Sequence, residues 1–285
     1  MFKTQSLLRL YKDFYDWMEK PEMFQKRPGN KIEYSDVFPL VYIKIAFQGT
    51  MSFSYVKHLV VDEMQDYTPV QYAVLSLLFK CKKTILGDAN QSVNPYSSTT
   101  HHEIQKVFDN AVCMKLSKSY RSSYEITSFA QNISKNEQLE AIERHGEKPA
   151  LISVESETQQ LSEIKRLLEN SFLTDYQSLA VICKSQIQAQ SMHDALQSFG
   201  IQGSLLTPET KTFSNGIIIT TAHMAKGLEF DQVIIPFADA KNYKSEIDRS
   251  MQYNACTRAM HKLDLISVGE STPFIDFAKD VKTDE

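Results

Sequence analysis

Cysteine is scarce in this sequence, and its few positions lack the spacing of a metal site. The 285 residues include four, mostly within or beside apolar runs: Cys81, Cys113, Cys183 and Cys256. Zinc sites and disulfide frameworks use closely spaced or regularly paired cysteines. We therefore expect reduced thiols, buried as small hydrophobic side chains, and neither zinc nor a disulfide framework.

The sequence also lacks a long apolar run and an excess of basic residues. No stretch approaches the ~20 apolar residues of a membrane helix, and residues 1–6 have no signal-peptide core or cleavage site. We expect a cytoplasmic protein without membrane contact. The net charge of -4 gives no overall attraction for nucleic acid, although a local basic groove can exist on an acidic chain.

The apolar and charged contents, 42% and 23%, are typical of a soluble globular protein long enough for two domains. Strands alternating with helices predict an α/β fold with mostly parallel sheets covered by helices on both faces. The pattern restarts at Ser119, so we divide the chain into domains 1–118 and 119–285. The predicted helices are 4–20, 34–47, one from Pro69, one from about His102, 157–170 and 186–199. The predicted strands are 56–61, 83–86, 112–116, 150–154, 178–183, 217–221, 232–236 and 263–267.

Residues 56–66 form an apolar run that ends in an acidic pair, Asp62 and Glu63. The run predicts a buried strand that delivers carboxylates to the carboxyl edge of a sheet, where open α/β folds bind ligands. An acidic pair after a strand is also common as a solvated turn. Gln65 and Asp66 could simply be the N-cap and first-turn acid of the next helix.

Five motifs in order carry a more specific signal than the acidic pair. They resemble motifs II to VI of superfamily 1 helicases of the UvrD, Rep and PcrA type. Tyr67-Thr68-Pro69 after the acidic motif is most similar to the HelD branch, the helicase-like motors associated with bacterial RNA polymerase. The motifs are Asp62-Glu63-Met64-Gln65-Asp66, Gly87-Asp88-Ala89-Asn90-Gln91, Ser119-Tyr120-Arg121-Ser122, Thr220 to Phe230, and Tyr253-Asn254-Ala255-Cys256-Thr257-Arg258-Ala259.

The resemblance implies P-loop NTPase domains of the RecA-like type: the end of a first domain and a complete second one. It implies ATP and Mg²⁺ as cofactors. Asp62 would hold Mg²⁺, Glu63 would activate the lytic water as general base, and Gln91 would sense the γ-phosphate. Arg121 and Arg258 would be arginine fingers that reach the phosphates when the domains close.

The remaining roles implied by the resemblance concern nucleotide and nucleic acid. Tyr120, Gly227 and Glu229 would bind nucleotide, Tyr120 by stacking on the adenine and Glu229 through the ribose. Thr221 and His223 would contact a nucleic-acid backbone, most simply that of single-stranded DNA.

Each assignment has a structural alternative. Asp88 could only close a turn, and Arg121 could pair with a surface acid. Arg258, taken as part of a helix with Arg249 and Lys262, could belong to a solvated face. His223 could be an ordinary half-buried histidine.

The chain departs from the family in lacking the P-loop pattern G-x-x-x-x-G-K-[ST], whose amides and Lys cradle phosphates. We therefore expect the carboxyl-terminal part of a longer motor, which neither hydrolyses ATP nor binds it tightly without its missing N-terminal part. The aromatic residue usual after motif III is replaced by Val93, and the large insertion of the second domain is minimal. These differences argue against base-by-base stacking and processive unwinding.

Two functions follow from these patterns. The first is an ATP-dependent helicase or translocase that moves on nucleic acid or remodels a nucleoprotein complex such as RNA polymerase. The alternative is an interaction module that docks on RNA polymerase or another partner without hydrolysis. Retention of Glu63, Arg121 and Arg258 favours the motor, because a scaffold needs no charged groups that converge on a phosphate.

Overall fold

The computed structural model describes residues 6–29, 31–49, 53–88, 101–108, 110–135, 139–210 and 216–275. The chain forms two compact units, Met1–Met114 and Lys115–Glu285. Each unit contains buried apolar clusters of its own, so each has the anatomy of a domain.

The first unit combines helices with one pair of parallel strands. Its elements are α1 (Leu7–Trp17), a 3₁₀ turn (Pro21–Met23), α2 (Tyr34–Gln48), β1 (His58–Val61), a second 3₁₀ turn (Met64–Asp66), α3 (Pro69–Leu78), β2 (Lys82–Ile85) and α4 (His101–Val107). β1 and β2 run parallel with Val61 beside Ile85. Val61, Tyr72 and Ile104 form the buried cluster of this unit, which places the end of β1 against α3 and α4.

The start of α3 is set by a capping box. The Thr68 backbone N–H donates to Gln71 Oε1 at 2.6 Å, and Thr68 Oγ1 accepts from the Gln71 backbone N–H at 3.4 Å. Pro69 fills the first helical position, where its missing N–H costs nothing. The helix therefore begins where the sequence predicts. The alternative roles of Gln65 as its N-cap and Asp66 as its first-turn acid are wrong, because both lie in the preceding 3₁₀ turn.

The second unit is built on one six-stranded sheet. Its elements are β3 (Lys118–Ser119), α5 (Tyr124–Ile133), β4 (Glu140–Ala141), β5 (Ala150–Val154), α6 (Glu157–Ser171), β6 (Ser178–Cys183), α7 (Gln186–Ser198), β7 (Ser204–Leu205), β8 (Gly216–Thr221), β9 (Phe230–Ile235), α8 (Glu246–Cys256) and β10 (Ala259–Val268). The sheet has the order β5-β10-β9-β6-β8-β7, and every neighbouring pair is parallel. β3 and β4 form a separate parallel pair.

Helices cover both faces of this sheet. Side chains of α5 and α8 pack with Ala180 and Ile182 of β6 in one cluster. Side chains of α6 and α7 pack with Leu179 and Val181 of the same strand in the other. Successive residues of β6 thus enter opposite cores, which explains its continuous apolar sequence. The predicted α/β fold with parallel sheets flanked by helices is confirmed.

The strand predicted at 112–116 is wrong. These residues adopt no strand, and Val112, Met114 and Leu116 are 88%, 84% and 91% exposed. Alternating apolar residues fit a strand only where a neighbouring strand and a covering face exist. The part of the chain that the structure describes supplies neither.

The cysteines are only partly placed as predicted. Cys183 and Cys256 are buried, and burial raises the pKa of both thiols, that of Cys183 to about 12. Cys81 is half-buried and Cys113 is exposed, so the prediction of buried thiols is wrong for Cys113. Each described helix is too short or too polar to span a bilayer.

Candidate functional site

The predicted acidic pair follows the buried end of β1. Asp62 is exposed and Glu63 half-buried. Glu63 has a left-handed backbone, with φ 53° and ψ 52°, which costs a non-glycine residue about 1 to 2 kcal/mol. Asp62 Oδ1 accepts a hydrogen bond from the Glu63 backbone N–H at 2.8 Å and offsets part of that cost. The Asp62 side chain therefore helps to hold the turn that orients Glu63.

Gln65 joins Glu63 to the end of β2. Its Nε2 donates to Glu63 Oε2 at 2.6 Å, and its Oε1 accepts from the Asp88 backbone N–H at 3.1 Å. Gln65 is 1% exposed, whereas its two partners, Glu63 and Asp88, are half-buried. The sequence motifs assign Gln65 no role in the site. The Thr68-x-x-Gln71 capping pattern could have assigned the helix start to Thr68 and left Gln65 for another function.

The ends of the two strands are packed too closely for a side chain at residue 87. A Cβ atom on Gly87 would lie 2.5 Å from both Gln65 Oε1 and the Met64 backbone N. The Met64 N–H also donates to the Leu86 carbonyl at 2.8 Å. These contacts fix the end of β2 against the acidic turn. Gln91, predicted to follow on this segment, lies outside the described residues.

In the second unit, Arg121 and Glu229 form an ion pair. Arg121 Nε donates to Glu229 Oε1 at 2.5 Å, and the two side chains are 33% and 43% exposed. The structure brings together two residues to which the resemblance gives separate partners, a phosphate and a ribose. Tyr120, immediately before, is 67% exposed, while the buried Ser122 hydroxyl donates to the Ala259 carbonyl at 2.6 Å.

Arg258 is buried rather than solvated. α8 ends at Cys256, so Arg258 lies in the turn before β10, and Lys262 lies within β10. The structural alternative, one solvated helical face containing Arg249, Arg258 and Lys262, is therefore wrong. Arg258 is 2% exposed, and its guanidinium donates to the carbonyls of Asn254 at 3.2 Å and Leu228 at 3.5 Å. Such bonds compensate the burial of a charged group and place Arg258 beside the segment that carries Glu229.

Three further predicted site residues lie at the end of β8 and in the turn that follows it. Thr221 is 5% exposed, and its Oγ1 accepts from the Met224 backbone N–H at 3.3 Å, so its hydroxyl supports the turn. His223 is exposed. Gly227 has φ +78°, a conformation that glycine adopts without steric cost.

An ion pair that the sequence analysis did not identify lies at the carboxyl end of β6. Lys184 Nζ is 2.6 Å from Asp248 Oδ1, and the backbone N–H groups of Lys244 and Ser245 donate to Asp248 Oδ2 at 2.9 and 3.0 Å. Burial alone would raise the pKa of Asp248, but the hydrogen bonds from Lys184, Lys244 and Ser245 outweigh it and lower the pKa to about 2. The start of α8 is thereby tied to the sheet.

The carboxylate of Asp62 fits a Mg²⁺ ion that is bound together with a nucleotide. Among the described residues, no group of three or more His, Cys, Asp or Glu side chains could hold an ion. Mg²⁺ in nucleotide sites needs only one or two carboxylates, because phosphates and water supply the other ligands. Asp62, an exposed carboxylate at the end of a parallel strand, fits that arrangement.

Two stretches match helicase families. Residues 49–112 match the UvrD/REP helicase N-terminal domain, and residues 216–266 match the UvrD-like helicase C-terminal domain. The first stretch contains the acidic turn, and the second contains the turn after β8, Glu229 and Arg258.

Curated relatives are DNA helicases that are much longer than the matched stretches. The ATP-dependent DNA helicase UvrD2 of Mycobacterium tuberculosis is 33% identical over 79 residues, 26% of this chain and 11% of that protein. The putative ATP-dependent DNA helicase YjcD of Bacillus subtilis is 23% identical over 195 residues, 62% of this chain and 25% of that protein. A solved C-terminal domain of a possible DNA helicase from Lactobacillus plantarum is 31% identical, with a TM-score of 0.49, over 56% of this chain and 96% of that domain.

Two stretches of this chain, residues 49–112 and 216–266, are therefore similar to domains of UvrD/REP-type helicases. The likeness to the HelD branch stays a prediction.

Proposed function

We propose that this chain is part of an ATP-dependent motor of the UvrD/Rep type, which couples ATP hydrolysis to movement on single-stranded DNA. The observation that carries the proposal is the Asp62-Glu63 turn at the carboxyl end of β1. It presents the exposed Asp62 carboxylate and, next to it, the half-buried Glu63 carboxylate, which accepts a hydrogen bond from Gln65. Hydrolysis of a metal-bound nucleotide requires one group that binds the metal and another that activates the attacking water.

In this proposal the two carboxylates have different roles. Asp62 would hold Mg²⁺, which when bound neutralises charge on the phosphates. Glu63 would accept a proton from the attacking water as general base. Its hydrogen bond from Gln65 restricts the carboxylate to one orientation, and Gln91 would respond to the γ-phosphate.

The second unit would supply cationic and aromatic groups. Arg121 and Arg258 would stabilise negative charge on the transferred phosphoryl group, Arg258 after its guanidinium exchanges the Asn254 and Leu228 carbonyls for the phosphate. The exposed Tyr120 would stack on adenine, Gly227 would bind the nucleotide, and Glu229 would contact its ribose. The Arg121–Glu229 pair keeps both side chains in defined positions and, being partly exposed, costs little to separate.

Nucleic acid would bind at the turn after β8. His223 is exposed there and could contact a phosphate, whereas the buried Thr221 would act by shaping the turn. The assignment to DNA takes support from the DNA helicases that the chain resembles. Because the net charge is -4, binding would depend on local groups, and RNA polymerase remains a second partner to be tested.

We further propose that hydrolysis needs a P-loop outside these 285 residues, since the sequence contains no G-x-x-x-x-G-K-[ST] pattern. The test compares this chain with the longest polypeptide that its reading frame encodes. ATP hydrolysis is measured for both, with and without single-stranded DNA and with and without RNA polymerase. We expect hydrolysis by the longer polypeptide only, with stimulation by DNA.

The decisive variant in the longer polypeptide is Glu63→Gln, which keeps the size of the side chain and removes the base. We expect kcat to fall about 100-fold or more. Glu33→Gln is the matched control, because it removes a partly exposed carboxylate of the same unit that pairs with Arg27. Full activity of Glu63→Gln would overturn the proposal. Stimulation by RNA polymerase and not by DNA would replace the DNA motor with a polymerase-remodelling one.

A further inference from the structure

We propose that Gln65 is a positioning residue for ATP hydrolysis, which orients the Glu63 carboxylate and links it to the segment that follows β2. The inference rests on the proposed function, in which Glu63 is the general base. It adds a residue and a physical connection that the motif assignments do not contain.

The two hydrogen bonds of Gln65 use opposite ends of one amide. Nε2 donates to Glu63 Oε2 at 2.6 Å, and Oε1 accepts from the Asp88 backbone N–H at 3.1 Å. The carboxylate needs a donor and the backbone N–H needs an acceptor. The amide of a glutamine supplies both. A glutamate at this position would repel Glu63, and an asparagine would be one methylene too short to bridge both groups.

The surroundings of Gln65 allow it little freedom. The side chain is 1% exposed, and Gly87 packs where a Cβ atom would lie 2.5 Å from Gln65 Oε1. The Met64 N–H donates to the Leu86 carbonyl at 2.8 Å, and the Tyr72 hydroxyl donates to the Met64 carbonyl at 3.0 Å. The amide therefore packs directly against Gly87, and the backbone of the residue before it is held by Leu86 and Tyr72.

This geometry has a consequence for catalysis. A general base must keep one oxygen aimed at the attacking water, and a misplacement of about 1 Å can cost about 100-fold in rate. Without Gln65, the Glu63 carboxylate loses the hydrogen bond to its Oε2, and its orientation is less restricted. A movement of the segment after β2 would also reach Glu63, because Asp88 and Glu63 bond to the same amide.

The experiment measures steady-state ATP hydrolysis by the longest polypeptide that the reading frame encodes, comparing Gln65→Met with Gln71→Met. Gln71 is a matched control because it is also a buried glutamine of this unit, with hydrogen bonds to Thr68 and Tyr34. We expect Gln65→Met to lower kcat about 10- to 100-fold with KM for ATP changed less than about twofold. Gln71→Met should lower stability and leave kcat within about twofold.

A second variant of Gln65 and a comparison with Glu63→Gln distinguish the possible outcomes. Gln65→Glu retains an acceptor for the Asp88 N–H but removes the donor to Glu63, so kcat per folded molecule, with the folded fraction measured by circular dichroism at the assay temperature, should still fall. Equal kcat for the Gln65 variants and Gln71→Met would overturn the inference, while loss of activity in Glu63→Gln would still support the proposed function. Full activity of Glu63→Gln would overturn both.

Discussion

At the scale of residues, close packing explains why position 87 is glycine. Its added Cβ would meet both Gln65 Oε1 and the Met64 backbone N at 2.5 Å. The Met64 contact involves backbone, which cannot move aside by a rotamer change. We expect Gly87→Ala to lower the free energy of unfolding by about 2 to 3 kcal/mol, measured by urea denaturation followed by circular dichroism.

Gly49→Ala provides the control for this prediction. Gly49 also has a positive φ, +74°, but its Cβ would have nothing within 4 Å. Its substitution should cost about 1 kcal/mol from backbone conformation alone. Equal losses of unfolding free energy in the two variants would show that close contact with Gln65 and Met64 is not the reason for a glycine at position 87.

Residue types were easier to predict than their surroundings. The acidic pair was recognised because a strand ending in carboxylates is a local pattern, and β1 does end just before Asp62. The burial of Arg258 could not be predicted, because its acceptors include the carbonyl of Leu228, thirty residues away. Gln65 was missed for the same reason, since its second partner is Asp88, 23 residues further on.

At the scale of elements, the Lys184–Asp248 pair should make stability depend on pH. The pKa of Asp248 is lowered from 3.8 to about 2 in the folded chain. Its stabilisation is therefore present above about pH 4 and is lost as the pH falls toward 2. Asp248→Asn should lower the free energy of unfolding at pH 7 by about 1 to 2 kcal/mol and flatten the decline between pH 4 and pH 2 in urea titrations.

The exposed Asp175 of the same unit supplies a control for the pH prediction. Asp175→Asn should leave the free energy of unfolding at pH 7 near that of the unaltered chain. Its decline with falling pH should also be unchanged. The interpretation of Asp248 fails if its variant keeps the slope of the unaltered chain between pH 4 and pH 2.

Elements were predictable where burial alone determines them. β6 was found from its apolar run, because residues that enter cores on both faces must all be apolar. The prediction of a strand at 112–116 was wrong because alternating apolar residues define a face that could be buried. They do not supply a neighbouring element that covers that face. The helix Tyr124–Ile133 was not predicted, although five of its residues are buried.

At the scale of the whole molecule, the two units differ greatly in buried core. Among the residues that the structure describes, the first unit has one cluster of three buried apolar residues, and the second has two larger clusters covering both faces of its sheet. Val60 of β1 is 60% exposed, whereas Val181 of β6 is 0% exposed. Because local opening follows the amount of buried apolar contact, we expect the units to open separately.

Hydrogen exchange followed by mass spectrometry measures that difference. Peptides that contain β6 should exchange at least about 100-fold more slowly than peptides that contain β1, a gap of about 3 kcal/mol in opening free energy. β8, which is also buried, acts as an internal control and should match β6. Equal protection of β1 and β6 would mean that the chain opens as one cooperative body, with the small cluster around Tyr72 as stable as the core of the sheet.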